Sequence, residues 1–239
     1  MIKTCLTDKT LTLQLSINDS NSLDSIALQS LLSILYEIEM QQDIERVIVT
    51  GNARSFCKGA NIDVISEYSN EELLRFFYSL DSLLYRIYTF SKPVIAKVTG
   101  HAIGGGLAIM LASDFSIVEA KSRGKFGFPE YRIGMSLTPV MRELVINRPG
   151  LKRDFMTLGR LVDVNQANTY GFFTEFSDAD IDSCTANFIK EMQILSLDSF
   201  GMAKRQLYPL ISKPDLTENH EAYSLLCKQF EDYKRKHTR

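Results

Sequence analysis

Residues 92–114 read KPVIAKVTGHAIGGGLAIMLASD, and this segment decides how the rest of the chain is interpreted. It begins with a β-branched run, breaks at three consecutive glycines (residues 104–106) and continues as an apolar, alanine-rich stretch. This order is typical of a buried strand that leads into a buried helix. A glycine turn presents only backbone N–H groups at the positive end of a helix dipole, so it is suited to holding an oxygen that becomes anionic.

The glycines alone also allow a simpler interpretation, in which they let a strand and a helix pack closely. A nucleotide-phosphate loop is disfavoured, because the chain has no G-x-x-x-x-G-K-[ST] motif and no G-x-G-x-x-G that opens a first βαβ unit. The turn therefore predicts either close packing or an oxyanion site.

Length, composition and charge narrow the class of protein. The 239 residues are enough for one large domain or a domain with an appendage, and 45% hydrophobic with 23% charged residues is ordinary for a globular protein. A net charge of -2 gives no electrostatic basis for nucleic-acid binding. No apolar run reaches the roughly 20 residues that span a bilayer, and the N-terminus has no signal-peptide core. We expect a cytoplasmic protein with neither a membrane nor a nucleic-acid partner.

The metal-ligating residue types are few and scattered. The cysteines and histidines are Cys5, Cys57, Cys184, Cys227, His101, His220 and His237. Without a C-x-x-C spacing, the cysteines predict reduced thiols rather than disulfides or a zinc site. The absence of a G-x-S-x-G motif argues against a Ser-His-Asp triad. We therefore expect no bound metal and no bound cofactor.

The remaining patterns alternate between strands and helices before becoming helical. Strands are predicted at 11–17, 46–51 and 115–120, an extended segment at 124–130, and helices at 22–40, 69–89, 142–146, 151–158 and 164–170. Asp24 or Ser25 is the expected N-cap of the first helix. From about residue 180 onward only amphipathic helices are predicted. The expected division is a core at 1–180 and a C-terminal helical region at 181–239.

Several short motifs in this order resemble one family. They are FCKGAN at 56–61, KPVIA at 92–96, GHAIGGG at 100–106, Ser113 with Asp114, FGFPE at 126–130, Ile133 with Gly134, and the later Leu158–Gly159 and 167–171. Together the motifs and their spacing resemble the crotonase superfamily, the enoyl-CoA hydratase/isomerase relatives, over essentially the whole chain. The resemblance implies an α/β crotonase fold, a spiral of ββα repeats with C-terminal helices that build a homotrimer or a hexamer.

The same resemblance implies a function. The backbone N–H groups of Ala60 and Gly105 are expected to bind a thioester carbonyl oxygen and to stabilise an enolate. The substrate is then an acyl thioester, with coenzyme A or phosphopantetheine as part of it, carried by CoA or by an acyl carrier protein. Losing one oxyanion donor typically costs about 2.7–4 kcal/mol.

The acid/base groups depart from the family pattern. Related hydratases use two glutamates, and the second is present here as Glu130, the expected general acid/base. The first would lie two residues after the glycines, where this chain has Ala108. Two-glutamate hydration is therefore disfavoured.

Three functions remain open. One carboxylate suits double-bond isomerisation or a one-glutamate hydration/dehydration of an enoyl-CoA-type substrate. Polyketide β-branching dehydratases or decarboxylases, which act on carrier-protein thioesters, resemble this chain in the Gly-Gly-Leu run and at 155–158. The loop at 16–21 also lacks the arginine with which many relatives recognise CoA. A catalytically silent crotonase-fold binding protein is the third alternative, and Glu130 argues against it.

A further set of side chains is assigned to a candidate substrate pocket. They are Lys58, Asp63, Tyr68, His101, Ala108 and Tyr131. Each also has an ordinary structural interpretation: His101 as a packed wall residue, Lys58 as a solvated cation, and the others as structural or solvent-facing. Asp114 is expected to form hydrogen bonds inside the core.

Overall fold

The computed structural model describes residues 1–147, 158–208 and 210–237. Its strands are β1 (Ile2–Thr7), β2 (Thr10–Leu15), β3 (Arg46–Thr50), β4 (Ser55–Cys57), β5 (Val94–Val98), β6 (His101–Ile103), β7 (Phe115–Glu119), β8 (Phe126–Gly127) and β9 (Glu175–Ser177). Its helices are α1 (Ser25–Ile38), α2 (Ile62–Ile65), α3 (Asn70–Thr89), α4 (Gly105–Ala112), α5 (Pro139–Ile146), α6 (Val164–Thr169), α7 (Ile181–Met192), α8 (Leu197–Leu207) and α9 (His220–His237), with a 3₁₀ helix at Pro129–Ile133.

Two sheets lie side by side and are built by repetition. The larger has the order β1-β2-β3-β5-β7-β9 and the smaller the order β4-β6-β8. Among the strands of the described residues, only β1 and β2 pair in an antiparallel manner; the other pairs are parallel. Three strands of the larger sheet are each followed in the chain by a strand of the smaller sheet. The successive pairs are β3 and β4, β5 and β6, and β7 and β8. The result is the predicted ββα spiral.

The segment at 92–114 forms β5, β6 and α4 rather than one strand and one helix. The chain leaves the larger sheet at Gly100, where an added Cβ would lie 2.1 Å from the carbonyl oxygen of Arg54. Only glycine fits this close approach of two corners. β6 is then so short that no periodicity in the sequence identifies it.

Caps fix the ends of the helices that face the site. Asp24 accepts a hydrogen bond from the Ala27 N–H at 2.8 Å, which confirms one of the two expected N-caps of α1. α3 begins with a capping box formed by Ser69 and Glu72. Asp114 accepts a hydrogen bond from the Val94 N–H and pairs with the buried Lys204, so it lies in the core as expected.

Some predicted boundaries differ from the structure. β1 was not predicted; it pairs with β2 because the chain reverses at Asp8 and Lys9, both of which have positive φ. The segment at 124–130 is extended only in β8 and ends in the 3₁₀ helix that carries Glu130. The short strand β9 was also missed. The helix predicted at 151–158 lies almost entirely outside the described residues.

The C-terminal helices pack on the spiral in two places. Tyr223, Leu226 and Phe230 of α9 belong to the same hydrophobic core as the sheets, and α9 lies against α3. Met192 of α7, with its partly buried neighbours, covers the opposite face of the larger sheet. The proposed boundary at residue 180 remains a prediction. Among the described residues no helix is long and apolar enough to cross a membrane.

Candidate active site

A cavity of about 160 Å³ lies where the start of α4 meets α3, the 3₁₀ helix and α9. We call it the acyl cavity. Most of its wall is apolar, and the apolar side chains that line it are Ile62, Ile65, Phe76, Phe77, Leu80, Ile103, Ile133, Met135, Met141, Leu226 and Phe230. Such a lining excludes water and strengthens the electrostatic effect of the few polar groups present.

Two glycine turns meet at one end of this cavity. Gly59 and Gly104 both have positive φ, and a Cβ added to Gly59 would lie 3.1 Å from the nitrogen of Gly105. Gly105 is the first residue of α4, so its N–H has no carbonyl partner within the helix. The turns thereby bring the Gly105 N–H close to the chain at Ala60.

The N–H of Ala60 is directed by a short bridge to residue 23. The Leu23 N–H donates to the Gly59 carbonyl at 2.7 Å, and the Asn61 N–H donates to the Leu23 carbonyl at 2.7 Å. The Gly59–Ala60 peptide bond is trans, so the Ala60 N–H points away from Leu23. Within the described chain, no hydrogen bond uses the N–H of Ala60 or of Gly105. Both donors are therefore available to a ligand oxygen.

Glu130 supplies the carboxylate. An added Cβ at Gly104 would lie 2.5 Å from Glu130 Oε1, so the carboxylate sits against the glycine turn. Its other oxygen, Oε2, is buried without a hydrogen-bond partner in the part of the chain that the structure describes. Although the residue as a whole is half-buried, loss of hydration raises the pKa of Glu130 to about 7. A carboxyl group with this pKa can accept and return a proton near neutral pH.

The loop after Glu130 is also fixed. The Met135 N–H donates to the Glu130 carbonyl at 2.9 Å, and Gly134 closes the 3₁₀ helix with φ of 79°. Pro129 occupies the first position of that helix, where its missing N–H costs nothing. These features hold Glu130 at the cavity without a side-chain partner.

Glu130 is the sole carboxylate among the described residues that line the acyl cavity. Ala108, the position of the missing first glutamate, is completely buried in α4 and is not part of the cavity lining. In the described residues no three His, Cys, Asp or Glu side chains form a metal-binding group. The described part of the site therefore combines two backbone donors with one carboxylate.

Of the candidate pocket residues, Lys58 alone reaches the acyl cavity. The hydroxyl of Tyr68 accepts a hydrogen bond from the Ser25 N–H at 3.2 Å, and its ring packs on Phe76. Asp63 and Tyr131 are exposed and lie outside the lining. These three side chains follow the functional motifs closely in sequence, but the local helices direct them elsewhere.

Lys58 and His101 also line a larger, open hollow of about 740 Å³. We call it the corner cleft, because the connections β3–β4, β5–β6 and β7–β8 line it. Its cations are Arg54, Lys58, Lys121 and Arg123, and its carboxylates are Asp19 and Glu119. None of the four cations has an ion pair within the described chain. The cleft is thus locally positive in a chain whose net charge is -2.

His101 has a defined role in the wall of this cleft. Its Nδ1 accepts a hydrogen bond from the Lys125 N–H at 3.0 Å, which leaves Nε2 as the protonated donor. Partial burial, Lys58 and Lys125 lower its pKa, so the ring is held neutral. His101 lies outside the lining of the acyl cavity.

Two parts of the cavity wall were not predicted from the sequence. Leu226 and Phe230 of α9 line it, although their helical spacing indicated only that they pack on something. Thr138 lines it as well and donates a hydrogen bond to the buried Asp81. The one usable signal was a charged residue, Asp81, at an otherwise apolar position of α3.

The ββα spiral with two free N–H donors at a pair of glycine turns is the architecture of the crotonase superfamily. The family model described as enoyl-CoA hydratase/isomerase matches residues 10–238. The chain belongs to the enoyl-CoA hydratase/isomerase family.

Individual relatives agree with this assignment. The chain is 36% identical over 120 residues, 50% of its length and 44% of the relative's, to a short-chain-enoyl-CoA hydratase of Clostridium acetobutylicum. It is 25% identical to 2,3-dehydroadipyl-CoA hydratase of Escherichia coli, over 87% of this chain and 82% of that protein. The chain spans about half the length of two of the curated relatives, 57% of one and 44% of the other.

A solved structure supports the fold. The crystal structure of enoyl-CoA hydratase from Bacillus halodurans superposes with a TM-score of 0.83 at 21% identity, and the match covers 96% of this chain and 95% of that one. This likeness confirms the predicted crotonase fold.

Proposed function

We propose that this chain is an enzyme that acts on an acyl thioester through an enolate, with Glu130 as its single acid/base group. The thioester oxygen accepts hydrogen bonds from the N–H groups of Ala60 and Gly105, which are free in the described chain. Glu130 lies against the turn that carries Gly105, so its carboxylate is close to the carbon next to the thioester carbonyl. The acyl chain occupies the apolar acyl cavity.

The proposal rests mainly on one observation: Glu130 is the sole carboxylate among the described residues that line the acyl cavity. Hydration by two glutamates needs a water held between them, and Ala108 offers no second group. One carboxylate can instead remove a proton from the α-carbon of a β,γ-unsaturated thioester and return it to the γ-carbon. The double bond moves into conjugation, the two N–H groups stabilise the intermediate dienolate, and Glu130 ends in its initial state. Isomerisation is therefore the favoured reaction.

Dehydration of a β-hydroxyacyl thioester is the second reaction that the same groups support. Glu130 would remove the α-proton to give the enolate and then deliver that proton to the β-hydroxyl, which leaves as water while the α,β double bond forms. The basic corner cleft, which shares Lys58 with the acyl cavity, favours a phosphate-bearing carrier, either coenzyme A or phosphopantetheine on a carrier protein. The loop at 16–21 lacks a basic residue, so the cleft is the proposed source of phosphate recognition.

A direct comparison of substrates tests these assignments. Purified protein is incubated with a β,γ-enoyl-CoA, with crotonyl-CoA, and with a hydroxymethylglutaryl thioester on CoA and on a carrier protein, and products are separated by mass spectrometry. We expect conversion of the β,γ-enoyl substrate and slow or no hydration of crotonyl-CoA. Fast hydration of crotonyl-CoA would contradict the single-glutamate mechanism, and preferential dehydration of the carrier-bound substrate would favour the polyketide function.

We also propose a homotrimer or hexamer. Several large apolar side chains in the C-terminal helices and their connections remain exposed in the single chain: Ile194, Leu195, Met202, Leu210 and Leu225. Closed symmetry is the usual arrangement of soluble homo-oligomers, and contact with further copies of the chain would remove such side chains from water. Light scattering that gives an active species near 27.1 kDa would contradict the assembly.

A further inference from the structure

Asp81 is a fully buried carboxylate for which the proposed chemistry has no use. It lies in α3 with 0% of its surface exposed, and no Lys, Arg or His of the described chain forms an ion pair with it. An unpaired carboxylate is costly to bury, so each hydrogen bond to it matters. The donors that satisfy Asp81 therefore fix its position relative to the elements that carry them.

Three donors converge on Asp81 from two other elements. The hydroxyl of Thr138 donates to Oδ1, the Val140 N–H donates to Oδ2 at 3.3 Å, and the hydroxyl of Tyr223 donates to Oδ2 at 2.9 Å. Thr138 is the N-cap of α5, and Tyr223 lies in α9. One carboxylate thus joins α3, α5 and α9.

Each of these elements also forms part of the wall of the acyl cavity. Leu80 precedes Asp81 in α3 and lines the cavity, as does Thr138 itself. Leu226 and Phe230 lie three and seven residues after Tyr223, on the same face of α9, and both line the cavity. Loss of the Tyr223 contact would therefore act on the cavity wall directly.

We propose that Asp81 is a positioning residue for catalysis: through Tyr223 and Thr138 it holds α9 and the start of α5 closed over the acyl cavity, and so keeps Glu130 dry. This inference rests on the proposed function. Asp81 does not touch substrate. Its effect reaches Glu130 through the position of Leu226 and Phe230 and through the loop that runs from Glu130 to Thr138.

The surroundings of Asp81 supply hydrogen-bond donors rather than a cation. Burial raises the pKa of Asp81 to about 7, and the nearby Glu143 of α5 acts in the same direction. Burial raises the pKa of Tyr223, as do the nearby Asp81, Tyr78 of α3 and Asp215, so the hydroxyl stays protonated and donates. In the acyl cavity the charged side chain besides Glu130 is Lys58. No cation in these elements competes with Tyr223 and Thr138 for Asp81.

The test is Tyr223→Phe, which removes one hydroxyl, compared with Tyr233→Phe in the same helix. Tyr233 contacts Phe230 and His237 through its ring, and its hydroxyl has no hydrogen bond within the described chain. When α9 loosens, water reaches Glu130 and lowers its pKa toward the usual value. We expect Tyr223→Phe to lower kcat/KM about tenfold and to shift the acid limb of its pH profile down by more than about half a unit.

A second measurement separates positioning from simple destabilisation. Hydrogen exchange should accelerate in α9 of Tyr223→Phe while the strands of the larger sheet stay protected. Thr138→Val should reproduce the pH shift, and the shift should be larger than that of Thr138→Ser, which keeps the hydroxyl that donates to Asp81. Asp81→Asn is the direct variant. If it does not fold, the Tyr223 and Thr138 variants still test the positioning role of Asp81. Tyr223→Phe that matches Tyr233→Phe in both exchange and pH profile would overturn the proposal.

Failure of the proposed function gives a different result. If the wild type converts no acyl thioester, the pKa of Glu130 is instead followed by NMR in glutamate-labelled protein. A lower Glu130 pKa in Tyr223→Phe than in Tyr233→Phe would still support positioning by Asp81. Equal pKa values would overturn it.

Discussion

The acyl cavity and the corner cleft share Lys58 but differ in almost every other respect. The cleft is several times larger, at about 740 Å³ against about 160 Å³, and carries four cations. The cavity has one buried carboxylate and two backbone donors in an apolar lining. Electrostatic interactions are strong where water is excluded and are screened where it is not. We therefore assign chemistry to the small cavity and charge recognition to the large cleft.

The largest expected effect is that of Gly105→Pro in the cavity. Proline removes the N–H that is proposed to bind the thioester oxygen, and the first position of a helix tolerates proline. We expect activity to be abolished while the fold, followed by circular dichroism, is retained.

Gly105→Ala is the matched control. Its added Cβ would meet Leu80 at 3.4 Å, an ordinary contact, and the N–H is kept. Ala60→Gly, which also keeps its N–H, should be mild as well. If proline and alanine at position 105 reduced activity equally, loss of space rather than loss of the donor would be responsible.

Glu130→Gln is expected to have the next largest effect. The amide has nearly the same shape but cannot accept and return the proton, so turnover should fall by about 10²–10⁴ while thioester binding changes little. Steady-state kinetics with a binding assay on the same substrate separate the two quantities. Turnover like that of the wild type would remove Glu130 from the mechanism.

The positions that the family resemblance assigns to the site meet at the cavity, whereas most of the cavity wall was not predicted. Ala60, Gly105 and Glu130 each lie in a short motif whose geometry is local: a turn, a helix start, or a single helical turn. Phe230 and Leu226 reach the cavity only because α9 docks on α3 across the whole core. Periodicity indicates that a helix has an apolar face, but it does not indicate which surface covers that face.

The cleft was missed for a different reason. Its corners contribute Arg54 from the β3–β4 connection and Lys121 and Arg123 from the β7–β8 connection, which is unremarkable in a loop, and only the spiral brings these cations together. The candidate residues Tyr68 and Asp63 were expected at the cavity because they lie close to a functional motif in the sequence. The structure places both outside the cavity lining. β1 was not predicted because the tight hairpin at Asp8–Lys9 has lysine at its second position, where glycine or asparagine usually marks such a turn.

A smaller effect is expected on stability as a function of pH. Burial raises the pKa of Glu130 to about 7, above its value in the unfolded chain, so the folded state binds more protons between these values. The contribution of Glu130 to stability is therefore present at low pH and is lost as the pH rises through about 7. Thermal unfolding from pH 5 to pH 8 should show a steeper decline in the wild type than in Glu130→Gln. Parallel curves would mean that Glu130 is hydrated in the folded protein.

The smallest effects should come from the cleft, and they should appear in binding. Arg54→Ala and Arg123→Ala each remove one unpaired cation of the described chain from a solvent-exposed wall, where a phosphate contact is screened by salt. We expect KM for a CoA thioester to rise by about two- to fivefold at low ionic strength, with kcat unchanged and the difference vanishing at high salt. Arg75→Ala is the control, because Arg75 is exposed and pairs with Glu71 away from both hollows. A change in kcat in Arg54→Ala, or an effect on KM that persists at high salt, would contradict this assignment. The cleft would then act on the reacting groups and not only on the charge of the carrier.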